Sequence, residues 1–360
     1  MKVGDKERIR SVDGLRGIAA CIVAFCWHYQ HFTMISPFKK ILQLSYDYGW
    51  LMVELFFIIS GFMMAYCYQE TIIKRELAFA DYIIRRVRHL WPLSFVTLCV
   101  VTIEGIMYGW LEQSTFVYGN FDVYHWFLNF FLIQTGITDN VFTFNGPAWS
   151  ISVEMVLYAL FYVCTYNNKQ STKRRMLYTT LLLGGIIVFK AGCNFPILNG
   201  AIARGIIGFL VGVLFYEIWE KHRERMKQIG YIPLLVLLGI YIVTRINGYA
   251  WLGDIQMLFL LFLAPMIIWC TIECQGFRKI MESYPLLLLG RWSLHIYMWH
   301  YPVQYFIKIM DTLLKLNLNY GTHIIWIIYV SGTLMISALS CYVGEKIKDK
   351  WYIINDVIKN

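Results

Sequence analysis

One histidine, His28, lies within an apolar segment of the chain, where it could act as a base or a nucleophile. The segment, residues 11–33, carries Arg16 near its start and is long enough to span a bilayer. In a helix, Arg16 and His28 would lie roughly 18 Å apart along the axis. An ionisable group inside a membrane costs about 3 kcal/mol and usually has a partner or a function. We therefore expect a cavity around His28 with a cationic mouth near Arg16.

Three further ionisable residues, Glu54, Glu154 and His300, are predicted to meet His28 in the outer half of the membrane, each from a different span. A carboxylate that fixes the tautomer of an imidazole makes it a better base. Glu154 is the first candidate for that carboxylate and Glu54 the second, with His300 as a further supporting or alternative catalytic group. His31 is interpreted as a residue of the membrane interface. The alternative is that these groups pair for packing alone.

A cationic cluster, Arg85, Arg86, Arg88 and His89, precedes Pro92 at the start of the third span. One arginine side chain can bind two oxygens of the same phosphate, and the first turn of a helix also attracts anions. The cluster therefore predicts a phosphate-binding site. Its alternative role is to set the orientation of the chain in the membrane.

The composition is that of a polytopic membrane protein. Of 360 residues, 58% are hydrophobic and 15% are charged, the mean hydropathy is +0.52, and the formal net charge is +9. The basic residues cluster beside apolar segments, as the positive-inside rule requires. We therefore expect anionic lipid and an anionic cytosolic ligand as partners, and no nucleic acid. The cysteines and histidines lack the spacing of a metal site, so no metal is expected.

We predict an all-α transmembrane bundle with both termini cytoplasmic, in the plasma (inner) membrane. Residues 14–343 form one membrane domain between cytoplasmic tails at 1–13 and 344–360, and the first span acts as an uncleaved anchor. Residues 123–137 are interpreted as an interfacial or re-entrant segment, since another span there would invert the charge pattern. The hydropathy pattern predicts about ten spans, at residues 14–33, 49–68, 90–110, 148–166, 176–190, 200–218, 230–245, 253–272, 286–306 and 323–343.

Several motifs occur in an order that resembles acyltransferase family 3, a family of integral membrane O-acyltransferases. Its members include O-acetyltransferases of O-antigen, capsule and exopolysaccharide, and nodulation-factor acetyltransferases. The resemblance runs nearly end to end. The motifs are SVDGLRGIAA followed by His28, VELFFIISGF at 53–62, IRRVRHLWPL at 84–93, GPAWSISVEMVLY at 146–158, ARGIIGFLVGVLFYE at 203–217, LGRWSLHIYMWHYPV at 289–303 and YVGEKI at 342–347.

This resemblance implies an acyl-CoA donor from the cytoplasm, acetyl-CoA or a relative such as succinyl-CoA. The implied acceptor is a hydroxyl of an extracytoplasmic or lipid-linked glycan. His28 takes the place of the essential histidine of the first helix and Arg16 that of the arginine before it. Arg86 begins the RxxR element, and Glu154 is the glutamate of the PAWSxSxE element.

Two positions depart from the family pattern. Eleven residues separate Arg16 from His28, one more than is usual in the family. The second arginine of RxxR is replaced by His89, so either Arg88 or His89 would contact the CoA phosphates. These departures affect the donor contacts more than the assignment of His28.

Two other functional classes fit a helical bundle with buried charge. A transporter or flippase of a sugar or lipid would bind or move its substrate without breaking a thioester. A lipid-anchored scaffold would need neither His28 nor Glu154. Within the enzyme class, His28 could act as a general base or could carry the acyl group transiently, and the sequence leaves both routes open.

Overall fold

The computed structural model describes residues 7–35, 37–138, 141–248 and 252–359, with only the backbone described for Arg245, Asn247 and 348–359. Within these ranges the fold is helical, and an isolated bridge pairs Asn194 with Asn199. The α-helices are α1 (Arg10–Ile22), α2 (Lys39–Tyr48), α3 (Leu51–Ile73), α4 (Phe79–Glu112), α5 (Val123–Phe130), α6 (Trp149–Asn167), α7 (Ser171–Lys190), α8 (Gly200–Gln228), α9 (Ile232–Asn247), α10 (Ile255–Leu258), α11 (Ala264–Glu273), α12 (Gln275–Met281), α13 (Tyr284–Leu314) and α14 (His323–Lys359).

The predicted all-helical fold is confirmed for the described residues, and each predicted span overlaps at least one helix. The number of spans and the side of the termini stay predictions. Within the described ranges, six segments are long and apolar enough to cross a membrane. They are Leu51–Ile73, Phe79–Glu112, Gly146–Asn167, Gly200–Gln228, Ile255–Glu273 and His323–Ile347.

Two pairs of parallel helices form the centre of the bundle. Helix α1 packs along α13, with Gly17 against the backbone of Gly290 at one end of the contact. Helix α3 packs along α8, where Gly61 lies against the backbone of Phe209. The missing side chain at each glycine lets the two backbones approach closely, as is common between membrane helices. These contacts fix the positions of the residues that α1, α3, α8 and α13 carry.

Helices α4 and α14 lie at the outside of this centre. Ile103 on α4 is 60% exposed and Met335 on α14 is 73% exposed. Large apolar side chains exposed on spanning helices are expected to face lipid tails. Between these two helices, α13 forms the inner wall.

The segment at 123–137 contains only the short helix α5, Val123–Phe130. Eight residues of helix rise about 12 Å, which is too short to cross a bilayer. The Asp122 side chain caps this helix by accepting a hydrogen bond from the backbone N–H of His125. Hydrogen bonds from His125 hold the pKa of the Asp122 carboxyl below its usual range. This geometry excludes a spanning helix and agrees with an interfacial or re-entrant segment.

Candidate active site

Two imidazoles meet in the bundle centre. The Nδ1 atom of His28 lies 2.6 Å from the Nε2 atom of His300, which is a hydrogen-bond distance. The Gln304 side chain donates to the carbonyl of His28 at 2.7 Å and so ties the two segments together. His28 is partly exposed, whereas His300 is fully buried. Of this histidine pair, His28 is therefore the member that a substrate can reach.

The backbone changes its helix type directly before His28. Residues Val23–Trp27 form a π-helical turn, and His28–His31 form a 3₁₀ turn. A turn with i→i+5 hydrogen bonds holds one more residue than an α-helical turn, and such turns are frequent at functional sites. The extra residue between Arg16 and His28 is accommodated here. The π turn lets His28 face α13 although the interval is longer than the family pattern.

His31 lies next to the histidine pair rather than at an open interface. Its ring stacks on that of His28, with centroids 5.0 Å apart, and its Nδ1 atom is 3.4 Å from Oε1 of Gln304. The sequence signal was the spacing of three residues, which places both imidazoles on one side of a helical turn.

Glu154 does not contact His28 in the way that the sequence analysis predicted. Its Oε2 atom accepts a hydrogen bond from the Tyr158 hydroxyl at 3.1 Å, and that hydroxyl is 3.0 Å from Oγ of Ser60. The cations close enough to attract the Glu154 carboxylate are Arg16 and Arg86. Glu154 therefore belongs to the basic end of the bundle. The partner of His28 is another imidazole.

Tyr297 links the histidine pair to this polar region. Its ring lies 5.9 Å from that of His300, and its hydroxyl donates to the carbonyl of Pro147 at 2.9 Å. The charged groups near this hydroxyl are Glu154 and Arg204. The GPAWS motif thus packs directly against the helix that carries His300.

Glu54 forms a buried ion pair with Arg204, a residue that the sequence analysis did not single out. The Oε1 atom of Glu54 accepts from Nε of Arg204 at 2.6 Å and from Nε2 of Gln256 at 2.8 Å. The guanidinium of Arg204 also lies 4.9 Å from the ring centroid of Trp149. A lone arginine in the apolar segment 200–218 was the signal that could have identified it. Glu54 therefore links α3 to α8, and His28 is not its partner.

A cavity of about 1200 Å³, the basic cavity, opens between α1, α4, α13 and α14. Of the predicted donor-binding residues, Arg16, Arg88 and His89 line it. Arg85 is partly exposed outside it. Arg86 also lies outside it, donating to the Tyr68 hydroxyl with its guanidinium over the Tyr68 ring. Further charged groups at the same end of the cavity are Glu7, Arg8, Arg10, Asp13, Arg291 and Glu345.

Trp299, the residue before His300, is the lining residue of the basic cavity that lies furthest along α13. The Nε1–H of Trp299 is buried and has no hydrogen-bond partner among the described residues. His28 and His300 do not themselves line the cavity. A ligand that fills it would end beside Trp299, one residue away from the histidine pair.

The family assignment follows from a match that includes the histidine pair and most of the residues that line the basic cavity. Residues 9–342 match the family model described as the acyltransferase domain, of the acyltransferase 3 type. The chain belongs to the acyltransferase 3 family. His28, Arg16, Arg86 and Glu154 all lie inside the matched range. No three His, Cys, Asp or Glu side chains in the described part of this acyltransferase are placed to hold a metal ion.

This acyltransferase is similar to three curated proteins. The O-acetyltransferase OatA of Staphylococcus aureus is 24% identical over 292 residues, which cover 72% of this chain and 47% of OatA. The acyltransferase MdmB of Streptomyces mycarofaciens is 23% identical over 328 residues, covering 82% of this chain and 79% of MdmB. YrhL of Bacillus subtilis, provisionally named a peptidoglycan O-acetyltransferase, is 22% identical over 335 residues, covering 82% and 49%.

This acyltransferase thus spans about half the length of OatA and YrhL. No solved structure is significantly similar to it.

Proposed function

We propose that this protein moves an acetyl group, or a similar short acyl group, from cytoplasmic acyl-CoA to a hydroxyl of an extracytoplasmic or lipid-linked glycan. The observation that carries the proposal is the position of the histidine pair next to Trp299, at the end of the basic cavity away from its arginines. The names of OatA and YrhL support an O-acetyltransferase. The membrane in question is the plasma (inner) membrane.

The basic cavity would bind the donor. Coenzyme A carries phosphates at one end and a thioester at the other, joined by a slender arm. Arg16, Arg88 and His89 line the cavity and would pair with the phosphates. The arm would extend along α13 towards Trp299, which would bring the thioester close to His28 and His300. Arg85 and Arg86 would contribute charge from outside the cavity wall.

His28 would act as the general base. In the tautomer proposed for catalysis, neutral His28 would donate from Nδ1 to Nε2 of His300, and the Nε2 lone pair of His28 would then accept the hydroxyl proton of the acceptor. The acceptor oxygen attacks the thioester carbonyl carbon, the C–O bond forms, and the C–S bond breaks. The departing thiolate of CoA takes the proton back from His28. His300 acts as a positioning residue because it is fully buried.

Glu154 would serve the donor rather than the base. Its carboxylate is stabilised by the positive charges of Arg16 and Arg86 and accepts a hydrogen bond from Tyr158. It would therefore orient these two arginines at the donor end of the bundle. Glu54 holds Arg204 within the bundle, and this ion pair would support the site indirectly by keeping α3 packed on α8. In the alternative route, His28 accepts the acyl group first and the acceptor displaces it, with the same overall balance.

The test uses purified full-length protein, acetyl-CoA labelled in the acetyl group, and envelope glycan from cells lacking the gene. We expect label in base-labile glycan esters and an equal amount of free CoA. His28→Ala should abolish both and leave the helical content unchanged. His222→Ala, a change at an exposed histidine, is the matched control.

Two outcomes would overturn the proposal. Binding or movement of a sugar or lipid without loss of the thioester would place the protein among transporters. Full transfer by His28→Ala would remove His28 from the reaction.

A further inference from the structure

The loop between α4 and α5, residues 113–122, covers α13 just beyond the end of the basic cavity. We call it the Tyr118 loop. Its Tyr118 ring lies 5.9 Å from the ring of His31 and 4.9 Å from that of Tyr301. Its Phe116 ring lies 5.5 Å from that of Tyr305. The basic cavity ends at Trp299, so the surface of α13 next to the histidine pair is covered by this loop instead.

Three buried polar atoms beneath the Tyr118 loop have no hydrogen-bond partner among the described residues. They are the hydroxyls of Tyr301 and Tyr305 and the Oε2 atom of Glu104. Both tyrosines are fully buried, and Glu104, which is 7% exposed, lies near both hydroxyls. Leaving a buried polar group unpaired is unfavourable, and native structures usually satisfy such groups. The cluster is therefore polar in a way that packing alone does not explain.

The loop backbone lies where partners of these hydroxyls would be. The Tyr301 hydroxyl faces the backbone of Tyr118, and the Tyr305 hydroxyl faces that of Phe116, without completing a hydrogen bond. The loop is held mainly by ring contacts, including those of Phe121 against Gly105 and Tyr118 against Gly146. Lifting the loop would thus expose three polar atoms and break only weak contacts between the two hydroxyls and the loop backbone.

The chemistry of this cluster suits a saccharide. A carboxylate and phenol hydroxyls pair with sugar hydroxyls, while aromatic faces pack on the apolar C–H faces of sugar rings. The cluster contains no arginine or lysine, which separates it from the phosphate-binding chemistry of the basic cavity. It also lies beside His31, whose ring stacks on His28. A hydroxyl bound here would be close to the proposed base.

We propose that displacement of the Tyr118 loop opens an acceptor site for a saccharide hydroxyl, lined by Glu104, Tyr301 and Tyr305 next to His28. This inference rests on the proposed function. The donor would occupy the basic cavity while the acceptor approaches from the loop side. In the closed state the loop limits the access of water to the histidine pair.

The first test removes single polar groups and keeps the packing. Tyr301→Phe and Glu104→Gln should each lower transfer of acetyl to envelope glycan about tenfold or more, with binding of acetyl-CoA unchanged. Tyr82→Phe is the matched control because Tyr82 is also fully buried with an unpaired hydroxyl, near the opposite end of α4. It should change neither quantity.

The second test removes the cover. Tyr118→Ala should increase the release of CoA from acetyl-CoA in the absence of glycan, because water gains access to His28. Tyr118→Phe keeps the ring and should behave as the wild type. Binding of acetyl-CoA reports folding in both variants.

Two sets of results overturn the acceptor site. One is unchanged transfer by both Tyr301→Phe and Glu104→Gln, and the other is loss of acetyl-CoA binding in these variants. CoA release that does not rise in a Tyr118→Ala protein that still binds acetyl-CoA overturns the role of the loop. A wild-type protein that does not bind acetyl-CoA overturns the proposed function, and this inference with it.

Discussion

The guanidinium of Arg204 lies 2.6 Å from the Oε1 atom of Glu54 and joins α8 to α3. The Glu54 side chain is completely buried, and that of Arg204 is 22% exposed. Removing water from two charges is unfavourable, and their attraction offsets this only when both partners are present. The stability of the α3–α8 contact therefore depends on the intact pair.

Replacing Arg204 by leucine should destabilise the protein by about 3–5 kcal/mol, because a buried carboxylate loses its cation. The measurement is the thermal unfolding midpoint of the purified protein in detergent. The double variant Glu54→Leu with Arg204→Leu removes both charges and should recover much of the loss. A single Arg204→Leu variant as stable as the wild type would contradict this account.

Gly17 is predicted to be essential for the packing of α1 on α13. A Cβ atom added there would lie 2.5 Å from the backbone nitrogen of Gly290. Gly17→Ala should therefore destabilise the protein by about 1–3 kcal/mol through overpacking and lower kcat by shifting His28 relative to His300. Gly109→Ala is the control, because nothing lies within 4 Å of a Cβ at that helical position. It should be neutral or stabilising by up to about 1 kcal/mol.

His300 is predicted to position His28 without touching the substrate. His300→Ala should lower kcat by about 10²-fold or more and leave the affinity for acetyl-CoA unchanged. His300→Gln retains a polar atom near the position of Nε2 and should keep more activity than His300→Ala. Steady-state kinetics with acetyl-CoA and glycan separates the two parameters. Equal activity of the alanine variant and the wild type would show that the contact of 2.6 Å serves packing only.

Arg16 is predicted to bind phosphate at the mouth of the basic cavity. Arg16→Gln should raise the KM for acetyl-CoA about 10–100-fold, and this effect should weaken as salt screens the charges. Acetylpantetheine has no nucleotide phosphates, so its KM should be the same for the variant and the wild type. Arg175→Gln on α7, away from the cavity, is the control. An equal rise in KM for both donors would place Arg16 elsewhere in the mechanism.

The helices were predictable from the sequence because long apolar blocks bounded by charge leave few alternatives. The meeting of His28 with His300 also follows from their predicted depths in two spans. The predicted contact of Glu154 with His28 does not occur in the structure. Depth along the membrane is readable from hydropathy, but rotation about the axis of an apolar helix has no amphipathic signal to fix it.

Arg204 shows a second limit of sequence reasoning. Its charge was visible, but nothing in the spacing of residues 200–218 indicated which helix carried the partner. The π turn at Val23–Trp27 is a third limit, since an extra residue can be absorbed locally or can rotate everything after it. Only the packing of α1 on α13 distinguishes these outcomes.

Helix α1 carries Arg16 and continues through the π turn to His28, and this helix packs along α13 in close backbone contact. If the donor phosphates bind at Arg16, the fixed distance from Arg16 to the imidazole of His28 acts as a molecular ruler. Carriers whose arm is shorter or longer than that of coenzyme A would then present their carbonyl out of register. Selection among thioesters would thus depend on carrier length, independently of the size of the acyl group.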